Sequence, residues 1–199
     1  MSNSKMRRWK LISLFLGLSL TGIAFSGCSA KLSKAEPSKA PKSSANETSA
    51  NRIGTAVGDI APDFELATMD GSRLKRADLN GQPAVLIFWT AWCPVCKEEA
   101  PEFNKLAAQF ATRGVRVIGI NIQDSVARTE AGIKEFRIQY TVARDPDAAV
   151  TRRYKVSGTP TIVFIDRTGV VRYFGNELPV DYPSRLVTML EQKVKGQNG

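Results

Sequence analysis

Nine residues, Trp89-Thr90-Ala91-Trp92-Cys93-Pro94-Val95-Cys96-Lys97, constrain this chain more than any others. They join an unbroken apolar run, Ala84 to Trp89, to a stretch from Pro94 in which apolar residues return every three or four positions. The first pattern is that of a buried strand and the second that of an amphipathic helix. Two cysteines two residues apart at such a junction read as a redox pair. Cys93 falls at the helix start, where unpaired amides and the helix dipole favour a thiolate. Cys96 lies one turn further on, close enough to close a disulfide. The first sulfur can then attack a substrate disulfide, and the second resolve the mixed disulfide.

Other uses of the pair fit less well. A structural zinc site needs four ligands, and the chain has no histidine and one further cysteine, Cys28, far away in an apolar N-terminal region. No metal is therefore expected. A purely structural disulfide would close a loop too short to constrain much of the unfolded chain.

The N-terminus reads as a targeting segment. Lys5, Arg7, Arg8 and Lys10 precede an apolar stretch from Leu11 to Phe25, which ends in Phe25-Ser26-Gly27-Cys28. A basic start, an apolar core and small residues at its end make a signal peptide. The last four residues resemble the bacterial lipoprotein signal, in which the cysteine is lipidated. Residues 1–27 are thus expected to be a lipoprotein signal peptide, with Cys28 as the lipidation site and the domain held outside the cytoplasm by acyl chains. The alternative is an uncleaved signal anchor with Cys28 free. Ser29 after Cys28 favours the outer membrane where there are two, and with Cys28 acylated one redox pair remains.

Residues 28–55 are rich in Ser, Ala, Lys and Pro and poor in large apolar side chains, so they cannot offset their ordering entropy. They read as a flexible membrane tether with a reach on the order of 30 Å. Residues 56–199 suffice for one domain with its own core. The net charge of +9 suggests a nucleic-acid partner, but nine of the 28 Lys and Arg and only two of the 19 acids lie before residue 56. The domain itself is nearly balanced, and no nucleic-acid partner is expected. The basic excess belongs to the leader and tether, where lysines give at most weak contact with anionic lipid.

Within the domain, Asp63–Thr68 and a turn at Met69–Ser72 suggest a short hairpin. Leu74–Leu79 reads as a helical turn, Ala84–Trp89 as the central strand and Pro94–Thr112 as a helix with Phe103, Leu106, Ala107 and Phe110 inward. Val115–Ile122 reads as a strand, Ser125–Ile138 as a helix with Val126, Ile133 and Phe136 inward, and Ala148–Tyr154 as a short helix. Thr161–Asp166 and Val170–Phe174 form a hairpin, and a last helix runs from Pro183 or Ser184 to Val194. Alternating strands and helices followed by an antiparallel hairpin imply an α/β fold with a mixed sheet.

Several segments, in order, carry a family resemblance: Val57-Gly58-Asp59-Ile60-Ala61-Pro62-Asp63-Phe64, Phe88-Trp89-Thr90-Ala91-Trp92-Cys93, Glu99-Ala100-Pro101, Gly158-Thr159-Pro160-Thr161 and Phe164-Ile165-Asp166. The chain resembles the thioredoxin-like, membrane-anchored thiol–disulfide oxidoreductases of the TlpA/ResA type, close to the alkyl-hydroperoxide-reductase/redoxin superfamily. The resemblance implies a thioredoxin-like fold, a central mixed β-sheet flanked by helices, with an N-terminal β-hairpin extension. It implies reduction of disulfides in exported proteins, such as apocytochrome c, with a membrane thiol–disulfide electron donor, no cofactor and a monomeric protein.

The resemblance also assigns roles. Pro160 matches the cis-proline that faces the disulfide, although the base rate for an X-Pro bond alone favours trans. The backbone of Thr159 would pair with the substrate chain. Trp92 would shield the disulfide, and Trp92 and Pro94 join Thr159 and Pro160 as candidate substrate-binding residues. Pro94-Val95 would help set the potential. Glu99 lies at i+3 from Cys96, on the same helix side. Members of the cytochrome c maturation branch carry an acid there to assist proton transfer at the buried cysteine. Thioredoxins instead place a buried Asp six residues before the first cysteine, where this chain has Ile87. The alternative for Glu99 is the solvated role expected of Glu98 and Glu102. Trp89 reads as core, and Pro101 should kink the helix because it cannot donate to the Lys97 carbonyl.

Two other functional classes fit the residues less well. A peroxiredoxin-like thiol peroxidase would use Thr90-x-x-Cys93, but the proline of that pattern is Leu86 here and Trp92 precedes the cysteine. A copper-delivery protein would need C-x-x-x-C and a histidine, and this chain has neither.

Overall fold

The structure is a computed structural model that describes residues 52–192. The residues expected to form the signal peptide, Cys28 and most of the expected tether lie outside the described residues. Arg52–Thr55, counted with the tether on composition, pair with the domain: Ile60 donates to the Arg52 carbonyl at 2.8 Å, Gly54 donates to the Ile60 carbonyl at 2.9 Å, and the Arg52 guanidinium meets Asp59 at 2.7 Å.

Seven strands form one mixed sheet: β1 (Glu65–Thr68), β2 (Arg73–Lys75), β3 (Ala84–Trp89), β4 (Arg116–Ile122), β5 (Thr141–Asp145), β6 (Thr161–Ile165) and β7 (Val171–Gly175). Their order across the sheet is β2-β1-β5-β4-β3-β6-β7. The middle three, β5, β4 and β3, run parallel, and the β1–β2 and β6–β7 hairpins flank them antiparallel. All six residues of β3 are buried, as expected of an apolar strand covered on both faces.

Alternate residues of the sheet feed two cores. On one face Val85, Ile87, Val117, Ile162 and Phe164 meet Phe103, Leu106 and Phe110 of α1 (Pro94–Ala111) and Leu186 and Met189 of α4 (Tyr182–Glu191). On the other, Leu86, Phe88, Ile118, Ile120 and Val163 meet Val150 and Tyr154, at and just after α3 (Ala149–Arg153), with Phe64 and Leu79. Full burial of each Phe or Leu contributes on the order of 2–3 kcal/mol. A third cluster joins Trp89, Cys93, Cys96 and Ala100 to Phe136 of α2 (Val126–Phe136).

Four expectations are corrected. Thr141–Asp145, for which the sequence pattern predicts no element, is β5 and pairs with both β1 and β4. Leu74 belongs to β2, and only Arg76–Leu79 turns, as a 3-10 helix. Val126 is 48% exposed. It stands at the first residue of α2, and the face turned inward is Thr129, Gly132 and Phe136, with Ile133 partly buried against the same cluster as Phe136. The last helix starts at Tyr182. Helix α1 runs through the exposed Pro101 without a break, its missing N–H leaving the Lys97 carbonyl without its usual helical donor.

Candidate active site

The end of β3 delivers the chain to the site. Cys93 is the N-cap of α1 and Pro94 follows at its first turn, where a missing N–H costs nothing and the fixed φ suits the helix. Cys93 and Cys96 form a disulfide with their Cα atoms 5.3 Å apart. The Cys96 amide donates to Cys93 Sγ at 3.1 Å. The sulfur thus occupies the place of a capping oxygen, and the same amide would stabilise a thiolate there in the reduced protein. Both cysteines are almost fully buried, whereas Trp92 is 64% exposed and Val95 47%. With the exposed Pro94 they form an apolar collar around two covered sulfurs.

The opposite wall is the loop before β6. The Thr159–Pro160 bond is cis, and the Thr159 carbonyl oxygen lies 3.4 Å from Cys93 Sγ. Asn176 Nδ2 donates to the Pro160 carbonyl at 2.8 Å and to Thr161 Oγ1 at 3.0 Å, and Thr161 Oγ1 donates to the Gly158 carbonyl at 2.7 Å. This wall is therefore tied on both sides of the proline. Trp92 stands between two clefts of about 280 Å³ each, one toward Ser157–Thr159 and one toward Lys97, Glu135 and Phe136.

The structure brings Trp92, Cys93, Pro94, Cys96, Thr159 and Pro160 to one end of the sheet. Glu99 sits on the same helix but faces a separate groove of about 680 Å³, between α1 and the Glu177–Pro183 segment. Its carboxyl is half-buried, and among the described residues its Oε2 has no hydrogen-bond partner. Burial first, then Glu177 and Glu98, push its pKa above the usual carboxylate range. Glu98 and Glu102 are exposed, and Glu102 pairs with Lys105 at 3.4 Å. Ile87 is 1% exposed among apolar neighbours.

One group of polar residues at the site carries no motif in the sequence. Asn121, Asp124 and Thr129 are all buried. Asp124 Oδ2 accepts from the Ala91 amide at 2.7 Å and from Asn121 Nδ2 at 2.9 Å, and Thr129 Oγ1 donates to Asn121 Oδ1 at 2.8 Å. An Asn within the buried run Val117–Ile122 is the available signal, because a buried amide needs partners.

A mixed sheet with helices on both faces, a cysteine pair capping the first helix and a cis-proline loop against it define the thioredoxin-like class. The chain belongs to the AhpC/TSA family, whose pattern matches residues 57–174, more than half of it. Among curated proteins it is 32% identical over 119 residues to the thiol-disulfide oxidoreductase ResA of Oceanobacillus iheyensis, covering 58% of this chain and 62% of that protein. It thus spans less than two thirds of the length of that relative. Among solved structures it is similar to a secreted Mycobacterium tuberculosis disulfide oxidoreductase homologous to E. coli DsbE. That likeness has a TM-score of 0.55 at 32% identity and covers 63% of this chain and 94% of that one. A thioredoxin-family thiol:disulfide interchange protein from Chlorobium tepidum gives a TM-score of 0.57 at 26% identity, covering 65% and 94%.

Proposed function

We propose that this chain is an extracytoplasmic protein thiol–disulfide oxidoreductase that reduces disulfides in exported proteins. The observation that carries the reading is the Cys93–Cys96 disulfide at the start of α1, with the Thr159 carbonyl against Cys93 Sγ. An extended client segment could pair with the backbone of Thr159 and set its disulfide beside Cys93, with Trp92 and Pro94 against its flanks. The Cys93 thiolate attacks one client sulfur, and the client's S–S bond breaks, leaving a Cys93–client disulfide and one client thiolate. Cys96, as thiolate, then attacks Cys93 Sγ. The protein disulfide re-forms and the second client thiolate leaves, so two electrons pass to the client. A membrane thiol–disulfide donor would restore the dithiol.

The test uses reduced protein and a disulfide-bonded peptide such as an apocytochrome c segment carrying its cysteine pair. Wild type should release two peptide thiols per protein oxidised. Cys96→Ser should accumulate a mixed disulfide, and Cys93→Ser should not. Peptide disulfide left intact while hydrogen peroxide is rapidly consumed would replace this reading with thiol peroxidase.

The placement outside the cytoplasm draws support from the secreted relative and from the leader sequence. Lipidation of Cys28 is the proposed anchor. Mass spectrometry of membrane-extracted protein should find Cys28 as the first residue with added acyl mass. A soluble protein with an upstream N-terminus would exclude it.

A further inference from the structure

The turn between β4 and α2 reaches across to the active-site loop. Asn121 lies on β4 opposite Trp89 of β3, and three residues later Asp124 accepts from the amide of Ala91, two residues before Cys93. Between the end of β3 and α1, the loop's own backbone bond is a longer one, from the Cys93 amide to the Thr90 carbonyl at 3.3 Å. The stronger tie is therefore the one to Asp124, at 2.7 Å and 6% exposure.

The tie is itself supported. The Asp124 oxygen that takes the Ala91 amide also takes Asn121, and Asn121 is oriented by Thr129. Thr129 is 0% exposed, and its single hydroxyl proton is shared with the Ser125 carbonyl, 3.0 Å away. On the outer side, Arg128 and Arg144 close the turn. Arg128 Nε stands 3.8 Å from Asp124 Oδ1, and Arg144 donates to the Asp124 carbonyl at 3.3 Å. Helix α2 then comes so close to the loop that a Cβ at Gly132 would stand 2.8 Å from the Ala91 Cβ. A loop held at Ala91 by a carboxylate and packed at the same residue against a glycine of α2 has little room to shift.

We propose that Asp124 is a positioning residue for Cys93: by holding the Ala91 amide it fixes where Trp92 and Cys93 enter α1. The inference rests on the reading of Cys93–Cys96 as the exchanging pair. Its consequence follows from the cap geometry. Cys93 Sγ meets the Cys96 amide only if the loop enters the helix at this point. A released loop withdraws the sulfur from that amide, so the thiolate loses stabilisation and the dithiol becomes less favoured relative to the disulfide.

The test compares Asp124→Ala, Asp124→Asn and Asp166→Ala with wild type. Asn keeps a carbonyl oxygen able to accept from both Ala91 and Asn121. Asp166 is an equally buried aspartate that holds the β6–β7 turn through Thr168, Val170 and Arg172, after the C-terminal residue of β6 and so away from the disulfide. Two quantities are read on the reduced protein: the alkylation rate of Cys93 by iodoacetamide at pH 7, and the equilibrium of the pair against glutathione. Neither depends on a client, so a wild type inert toward protein disulfides would sink the proposed function while leaving both readable.

Asp124→Ala should slow alkylation at least threefold and move the glutathione equilibrium at least threefold toward the disulfide. Asp124→Asn should stay within twofold of wild type, and Asp166→Ala should lose stability with both readouts unmoved. Should Asp124→Ala not fold, Thr129→Val removes the hydroxyl behind Asn121 and should shift both readouts the same way by at least twofold. Wild-type values in Asp124→Ala or Thr129→Val, equal shifts in Asp166→Ala, or no rescue by Asn would overturn the proposal.

Discussion

Gly132→Ala sets two effects of known size against each other. Alanine in place of glycine inside a helix is worth about 1 kcal/mol in propensity. Against this stands the space. A Cβ at 132 would lie 2.8 Å from the Ala91 Cβ, 2.9 Å from Trp89 Cζ3 and 3.2 Å from the Ala91 Cα. None of these atoms is the free end of a flexible side chain. Ala91 has no rotamer to change, and Trp89, 2% exposed, packs with its ring centroid 5.5 Å from that of Phe136. Overpacking of a tight core costs about 1–3 kcal/mol, and with such rigid neighbours the upper part of that range applies. The net expectation is a loss of about 1–2 kcal/mol. The displacement should also enter the loop that carries Trp92 and Cys93, so the Cys93 alkylation rate should change. Ala131→Gly, at an exposed position on the same helix, supplies the comparison: about 1 kcal/mol lost through propensity alone, with Cys93 unaffected. Urea unfolding and alkylation rates measure both. A Gly132→Ala protein that is more stable than wild type and unchanged at Cys93 would refute the close-approach argument.

For Glu99, the raised pKa means that the folded protein holds its proton more tightly than the unfolded chain does. Stability should therefore fall as pH rises from the ordinary carboxylate range through the elevated one. Glu99→Gln should be more stable than wild type at pH 7, with the difference vanishing below the unfolded-chain carboxylate pKa; parallel stability curves would contradict this. If Glu99 also serves proton transfer at Cys96, the same variant should change the pH profile of peptide reduction, while Glu98→Gln should not. Phe110→Ala empties a site of 0% exposure whose ring centroid lies 6.4 Å from that of Tyr182. It should cost about 3–5 kcal/mol in urea unfolding while the glutathione equilibrium stays at the wild-type value. Trp92→Ala truncates a side chain 64% exposed, so stability should move by no more than about 0.5 kcal/mol. The KM for a peptide disulfide should rise severalfold, and an unchanged KM would remove Trp92 from client contact.

Much of this fold is legible where one side of a segment is apolar. Ala84–Trp89 falls at its observed boundaries because every side chain in it is buried, and α1 reads from the period of Phe103, Leu106 and Phe110. Strand β5 does not read, because Thr141-Val142-Ala143-Arg144-Asp145 has only two apolar residues. Its place is set by pairing with β1 and β4, which no local pattern encodes. Val126 misleads for a related reason: the helical period puts it in line with the inner face, but the chain is still entering the helix from the Ser125 cap.

The site divides along the same line, and three buried aspartates show why. Each stands at or just beyond the C-terminal end of a strand: Asp124 after β4 and Asp145 ending β5, both parallel strands, and Asp166 after the antiparallel β6. Asp145 accepts from the amides of Val150 and Thr151, and Asp166 from those of Thr168 and Val170. These bonds reach no more than six residues, and the sequence announces them as turns, through Asp145-Pro146-Asp147 and Arg167-Thr168-Gly169. Asp124 instead accepts from Ala91, 33 residues away. From sequence it looks like one more turn aspartate before a serine cap, and only the parallel pairing of β3 with β4 brings it under the active-site loop. The cysteines are legible because their chemistry needs a fixed spacing on one helix turn. The residue that holds them in place needs only a fixed position in space, which the sheet supplies.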